Sequence, residues 1–143
     1  MIIVLTNAKV FGEPGPNLCW FGMPEEFSDI TKKIAKICEG ELNKVTIKST
    51  DSIHLFGCRK IVFNVSESGK SLLQINEDES IETNLPIEIW KEIRVKFEST
   101  DELETFQFIE FDDRVDLVED ANWIIECRAD EVKLLKQLAT EYP

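Results

Sequence analysis

Histidine and closely spaced cysteines are what this sequence has least of. The chain of 143 residues contains one histidine, His54, so a metal site built from several imidazoles is excluded. Its four cysteines lie at least 19 residues apart, which excludes the C-x-x-C spacing used by zinc sites and redox dithiols. They are Cys19, Cys38, Cys58 and Cys127. We expect reduced, buried thiols, with one disulfide pair as the alternative.

Long apolar runs are missing as well. Residues 1–10 have neither a cationic start nor an apolar run long enough to cross a bilayer, so we expect a cytoplasmic protein with no membrane partner. The hydrophobic content of 43%, with 9 Phe and 3 Trp, is too high for a disordered chain. At this length we expect a single globular domain, residues 1–143, whose core needs no disulfide or metal.

Catalytic and cofactor motifs are incomplete. Residues 67–71 end in the Gly-Lys-Ser of a phosphate-binding loop, but Asn64 stands where its first glycine is required, so we interpret the stretch as a hairpin turn. Residues 112–116 lack the glycine and closing glutamate of an EF-hand, and we expect no dedicated calcium site. His54 lies in a strand pattern, which favours a structural role, although a pair with a distant cysteine stays open. We therefore expect no cofactor and no enzyme activity.

The hydrophobic patterns predict an α+β fold, a mainly antiparallel sheet with an amphipathic helix near each end. Residues 2–6 predict a strand and residues 12–17 a loop rich in Gly and Pro. The aromatic loop expected at 20–23 is interpreted as packing under the first helix, with a partner anchor as the alternative. A helix is predicted from Pro24 to Gly40. From residue 44 to 75 the period becomes two, which predicts a meander of antiparallel strands.

Residues 93–141 also contain both strand and helix patterns. Apolar and charged residues alternate over 93–97 and predict a strand, paired with an aromatic strand over 106–111. A helix over 103–110 is the alternative. Residues 123–127 predict the last strand, and residues 130–141 predict a closing amphipathic helix.

Acidic residues are concentrated in one part of the chain. Residues 1–76 contain 8 acids and 9 bases, whereas residues 77–120, here called the acidic block, contain 16 acids and 4 bases. The net charge of the whole chain is -12. Between residues 98 and 120 of the block, ten acids are accompanied by a single base, Arg114: Glu98, Asp101, Glu102, Glu104, Glu110, Asp112, Asp113, Asp116, Glu119 and Asp120. Such a concentration creates a field suited to a basic partner, so we predict that these ten residues form a partner-binding surface, with Arg114 as an internal organiser.

Charge also narrows the class of partner. Direct binding to nucleic acid is not expected, because neutralising phosphates requires an excess of Lys and Arg. In size, acidity and α+β layout the chain resembles the immunity proteins of bacterial contact-dependent and polymorphic toxin systems. The resemblance implies a cognate toxin domain as partner, bound by a monomer or homodimer. We hypothesise a basic nuclease toxin whose active site the acidic surface covers.

Two other functions fit the same composition. An acidic secretion chaperone is similar in length and charge, and it would wrap an extended segment of its partner as a dimer. A small enzyme using carboxylates and His54 would need a concave pocket with converging acids. Oligomeric state distinguishes the chaperone, and the position of the acids distinguishes the enzyme.

Overall fold

In the part of the chain that the structure describes, the fold has two five-stranded sheets and two helices. In the computed structural model the described residues are 1–6, 16–67, 72–100, 106–109, 116–117 and 122–127. Their elements are β1 (Ile2–Thr6), β2 (Asn17–Gly22), α1 (Pro24–Cys38), β3 (Lys44–Lys48), β4 (His54–Phe56), β5 (Lys60–Val65), β6 (Leu72–Ile75), β7 (Ser80–Leu85), α2 (Ile87–Glu98), β8 (Phe106–Ile109), β9 (Asp116–Leu117) and β10 (Asn122–Cys127). The predicted α+β class is confirmed.

The first sheet combines both ends of the described chain, in the order β4-β1-β2-β10-β8. Strands β1 and β2 are antiparallel, with Ile3 opposite Trp20. Strand β10 runs parallel to β2 and antiparallel to β8, so it is an internal strand of this sheet. The strand predictions at 2–6 and 123–127 are confirmed. Asn17 begins β2 and residues 20–22 continue it, so the loop predictions are wrong at these positions. Residues 12–15 of the predicted Gly/Pro loop lie outside the described residues.

The second sheet has the order β3-β5-β7-β6-β9. The predicted antiparallel meander over 44–75 is wrong, because β4 leaves to pair with β1 in the first sheet and β7 lies between β5 and β6. The strands on either side of the hairpin predicted at 67–71 do not pair with each other, because β7 lies between β5 and β6, and residues 68–71 themselves lie outside the described residues. Alternation identified these strands correctly, but turn residues do not determine which strands pair.

Helix α1 matches the sequence prediction. Phe27, Ile30, Ile34 and Ile37 form its buried stripe, and Pro24 occupies the first helical position, where its missing N–H is not needed. Beyond the helix, Gly40 has a φ of 77° and donates its N–H to the carbonyl oxygen of Ile37. This left-handed conformation suits glycine and ends the helix there.

Glu26 holds the N-terminal end of α1 in two ways. One carboxylate oxygen accepts the backbone N–H of Met23 at 2.9 Å, which satisfies a donor at the helix start. The other oxygen accepts a hydrogen bond from the N-terminal ammonium of Met1. That ammonium also donates to the carbonyl oxygen of Ser52 at 2.8 Å, and Met1 is 2% exposed. The start of β1 is thereby fixed to both α1 and the turn before β4.

Helix α2 replaces the strand predicted over 93–97. Trp90, Ile93 and Phe97 are buried at helical spacing, whereas Val95 is 60% exposed. A strand would place residues 93, 95 and 97 on one face, which the exposure of Val95 contradicts. The paired strand proposed over 106–111 exists as β8, but it pairs with β10. Phe111 and the closing helix predicted at 130–141 lie outside the described residues.

One cluster of buried side chains joins the two sheets and both helices. Trp20 of β2 is fully buried and contacts Phe63 of β5 and Phe97 of α2, with ring centroids 6.0 and 5.5 Å apart. Trp90 lies 4.9 Å from Phe63 and donates its indole N–H to the carbonyl oxygen of Asn64 at 3.0 Å. Trp20 therefore belongs to the core and does not anchor a partner.

The turn after β4 depends on Gly57. Its φ is 78°, and a Cβ atom there would lie 2.1 Å from the carbonyl oxygen of Leu5 in β1. Glycine thus allows the edge strand β4 to approach β1 closely while the chain turns toward β5.

Candidate functional site

Two of the ten predicted partner-binding residues lie in described elements. Glu98 is the last residue of α2 and is exposed. Asp116 begins β9, at the edge of the second sheet, where it is in register with Leu72 of β6. The other eight, together with Arg114 and most of the calcium candidate at 112–116, lie outside the described residues. They are Asp101, Glu102, Glu104, Glu110, Asp112, Asp113, Glu119 and Asp120.

Glu98 is held by an arginine one turn earlier in the helix. The Nε of Arg94 donates to Glu98 Oε1 at 2.7 Å, and its Nη1 lies 3.8 Å from Glu39 Oε1 at the end of α1. The hydrogen bond to Glu98 raises the pKa of Arg94, whose guanidinium stays charged. Arg94 therefore fixes the position of Glu98, and the organising role predicted for Arg114 falls on a residue outside the described ranges.

A groove between the two helices adjoins this ion pair. It has a volume of about 320 Å³, with Ser28, Thr31 and Ala35 on the α1 side and Phe97 and Glu98 on the α2 side. Small α1 side chains leave the groove open, and its rim carries both the Glu98 carboxylate and its Arg94 partner. We call this the helix groove. It is where the dense part of the acidic block begins.

Family models, curated proteins and solved structures give no match to this chain. The candidate site therefore stands on its own geometry and charge.

The described side chains of the acidic block are mostly on the surface. Seven of its acids have described side chains, six of them exposed and Glu82 half-buried. The exposed six are Glu77, Asp78, Glu79, Glu88, Glu92 and Glu98. Three bases share this part of the block, namely Lys91, Arg94 and Lys96. The negative charge is therefore available to a partner along this part of the chain.

The turn between β6 and β7 presents three of these acids in succession. Asp78 accepts hydrogen bonds from the hydroxyl of Ser80 at 2.5 Å and from its backbone N–H at 3.1 Å. These bonds, the hydroxyl first, lower the pKa of Asp78 and keep it ionised. Glu79 has a φ of 66°, the left-handed conformation that lets the chain reverse into β7.

The described histidine and cysteine side chains are buried or half-buried. His54 lies in β4, half-buried, and its backbone N–H donates to the carbonyl oxygen of Met1 at 2.9 Å. Cys19 and Cys58 are buried free thiols and Cys38 is a half-buried one, which agrees with the prediction of reduced cysteines at these three positions. Burial, followed by the charge of Glu79, raises the pKa of Cys58 to about 11. A catalytic thiol needs the opposite shift, so Cys58 is an inert core residue.

Within the described ranges, no group of three or more His, Cys, Asp or Glu residues has the arrangement needed to hold a metal ion. Neither α1 nor α2 has the length and hydropathy required to span a membrane, and no other helix lies in those ranges.

Sequence reasoning missed the Arg94–Glu98 pair, Glu39 and the helix groove. All depend on α2, which was predicted as a strand. A signal was present, because Pro86 directly precedes an apolar series at four-residue spacing through Ile89, Ile93 and Phe97.

Proposed function

We propose that this protein is an acidic inhibitor of the immunity-protein type, which binds and neutralises a basic toxin domain. The observation that carries the proposal is the concentration of 16 acids against 4 bases in residues 77–120. Exposure of six of the seven described acids supports it, since buried carboxylates could not contact a partner. A nuclease is the proposed target because its active site is basic and the carboxylates occupy the place of phosphates.

The geometry at the end of α2 suggests how docking begins. Glu98 and Glu39 share a single guanidinium, that of Arg94, so each keeps oxygen lone pairs that a partner's Arg or Lys can use. The exposed pair itself adds little stability, because solvent screens it. Its contribution is to hold carboxylates on a helix that is anchored in the core by Trp90, Ile93 and Phe97.

The first experiment is rescue of growth. The C-terminal domain of the protein encoded immediately upstream is expressed with and without this chain, and the complex is sized at low and high salt. Toxicity cured by a salt-sensitive 1:1 complex supports the proposal. A dimer bound to an extended segment supports the chaperone alternative, and persistent toxicity beside folded protein counts against inhibition of that domain.

The second experiment tests the acidic block within the complex. Reversing Asp112, Asp113 and Asp116 to lysine should slow association about tenfold or more and flatten its dependence on salt. The matched control reverses three exposed acids outside the block, Glu41→Lys, Asp51→Lys and Glu67→Lys, with the same change in net charge. Equal slowing in both variants would mean that net charge alone matters, and unchanged kinetics in the first would remove the block from the mechanism.

A further inference from the structure

A cleft with the opposite charge character lies between α1 and the turn that leads into β4. Its volume is about 430 Å³, larger than that of the helix groove. Lys33 and Lys36 line it from α1, and Thr50, Ser52 and Ile53 line it from the turn. We call it the lysine cleft. Its size is within the range of sites that enclose small molecules.

The cleft has an excess of positive charge in a chain of net charge -12. Lys32, Lys33 and Lys36 face it together with Asp29. Glu26 also lines the cleft, but its carboxylate is bound to the N-terminal ammonium, and the two charges cancel. Within the described residues the three lysines form no ion pair at 4 Å or less. Because like charges three and four residues apart on a helix repel, an anion in the cleft would relieve this repulsion.

The rest of the lining is apolar or hydroxylic and already ordered. Ile30 is buried beneath the cleft and Ile53 is half-buried in its wall. Thr50 Oγ1 accepts the backbone N–H groups of Ser52 and Ile53 at 3.2 and 3.1 Å, and the Thr50 N–H donates to the carbonyl oxygen of Ile53 at 2.8 Å. A ligand therefore meets a preformed wall and loses little binding free energy in ordering it.

We propose that the lysine cleft binds a small organic acid, with the carboxylate near Lys33 and Lys36 and the apolar body against Ile53. The charge of the cleft selects the anionic group, and the Ile53 side chain selects an apolar body over a fully polar one. This site is separate from the acidic block, so the proposal does not depend on inhibition of a toxin.

The test compares three probes by NMR titration of the full chain at low salt. 4-Phenylbutyrate carries both features, its neutral amide lacks the charge, and acetate lacks the apolar body. We expect saturable shifts at residues 30–36 and 50–53 for 4-phenylbutyrate, with a dissociation constant of roughly a few millimolar. The amide and acetate should bind at least about fivefold more weakly than 4-phenylbutyrate. Salt at about 0.3 M should weaken the binding of 4-phenylbutyrate but not that of the neutral amide.

Matched variants locate the site. Lys33→Gln with Lys36→Gln should weaken 4-phenylbutyrate about fivefold or more while leaving the amide unchanged. Lys44→Gln with Lys48→Gln makes the same charge change on exposed positions of β3, outside the cleft, and should have less than about a twofold effect. Equal binding of acid and amide, equal weakening in both double variants, or the absence of saturable shifts at 50–53 would each overturn the proposal.

Discussion

Replacing Phe97 by alanine tests directly whether residues 93–97 form a helix. Phe97 is 1% exposed, and its ring meets Trp20 at 5.5 Å and 83° and Phe27 at 6.3 Å and 61°. Removing a buried phenylalanine costs about 3–5 kcal/mol, through lost transfer free energy and the cavity that remains. Since a domain has about 5–15 kcal/mol of total stability, this loss is a large fraction of it.

The matched control is Val95→Ala, two residues earlier. In α2 the Val95 side chain is 60% exposed, so its truncation should change the free energy of unfolding by less than about 0.5 kcal/mol. In a strand both side chains would share one face, and Val95→Ala would then also remove buried surface, at a cost of roughly 1.5 kcal/mol or more.

The assay is urea unfolding followed by tryptophan fluorescence, with thermal unfolding beside it. For Phe97→Ala we expect a melting temperature lower by roughly 6–20 °C, and for Val95→Ala almost no change. Phe97→Leu provides a milder variant if the alanine variant does not fold. A loss of roughly 1.5 kcal/mol or more for Val95→Ala would refute the helical assignment and the packing argument built on it.

Three further predictions concern single positions, each measured by urea unfolding. Gly40→Ala should cost about 1–2 kcal/mol, because its φ of 77° is unfavourable for a residue with a Cβ atom. Gly57→Ala should cost clearly more, because its φ is 78° and its Cβ atom would also meet the backbone oxygen of Leu5; equal costs would contradict the close approach of β4 to β1. Glu26→Gln should cost about 1–3 kcal/mol, because the buried ammonium of Met1 loses its carboxylate partner. Glu25→Gln, at an exposed position of the same turn, should be nearly neutral; a neutral Glu26→Gln would show that the ion pair does not stabilise the fold. Burial raises the pKa of Cys58 from the ordinary 9.0 to about 11 in the folded protein, so the unfolded form loses the proton first. The wild type should therefore lose on the order of 2 kcal/mol of stability between about pH 9 and 11, a loss that the variant Cys58→Ala lacks; parallel pH profiles would show that the thiol has the same pKa in both states.

The correct sequence predictions were those in which one pattern admitted a single interpretation. Helix α1 has an unbroken buried stripe between Pro24 and Gly40, which act as start and stop signals. In α2, Ile93 and Phe97 satisfy a period of two and a period of four equally well, and the exposure of Val95 decides for the helix. Short windows of this kind are ambiguous without knowledge of the packing partner.

Pairing between distant segments was not predictable from local patterns. The parallel pair of β5 and β7 and the packing of α1 against α2 arise from tertiary contacts. The contact between Arg94 and Glu39 follows from that packing, so it could not be found before the two helices were known to be neighbours. The charge asymmetry of the candidate site, in contrast, is a property of the sequence itself and needed no structure.

The order of strands in the first sheet has a consequence for biosynthesis. Strand β10, at residues 122–127, occupies the place beside β2, at residues 17–22, so about a hundred residues must be added before β2 gains its second neighbour. At ribosomal rates this delay is roughly 5–20 s. During that time Leu18 and Trp20 belong to an unfinished sheet with an open edge, which is the kind of surface that nascent-chain chaperones protect. The sheet that carries the first strand of the chain is therefore among the last parts of the fold to be completed.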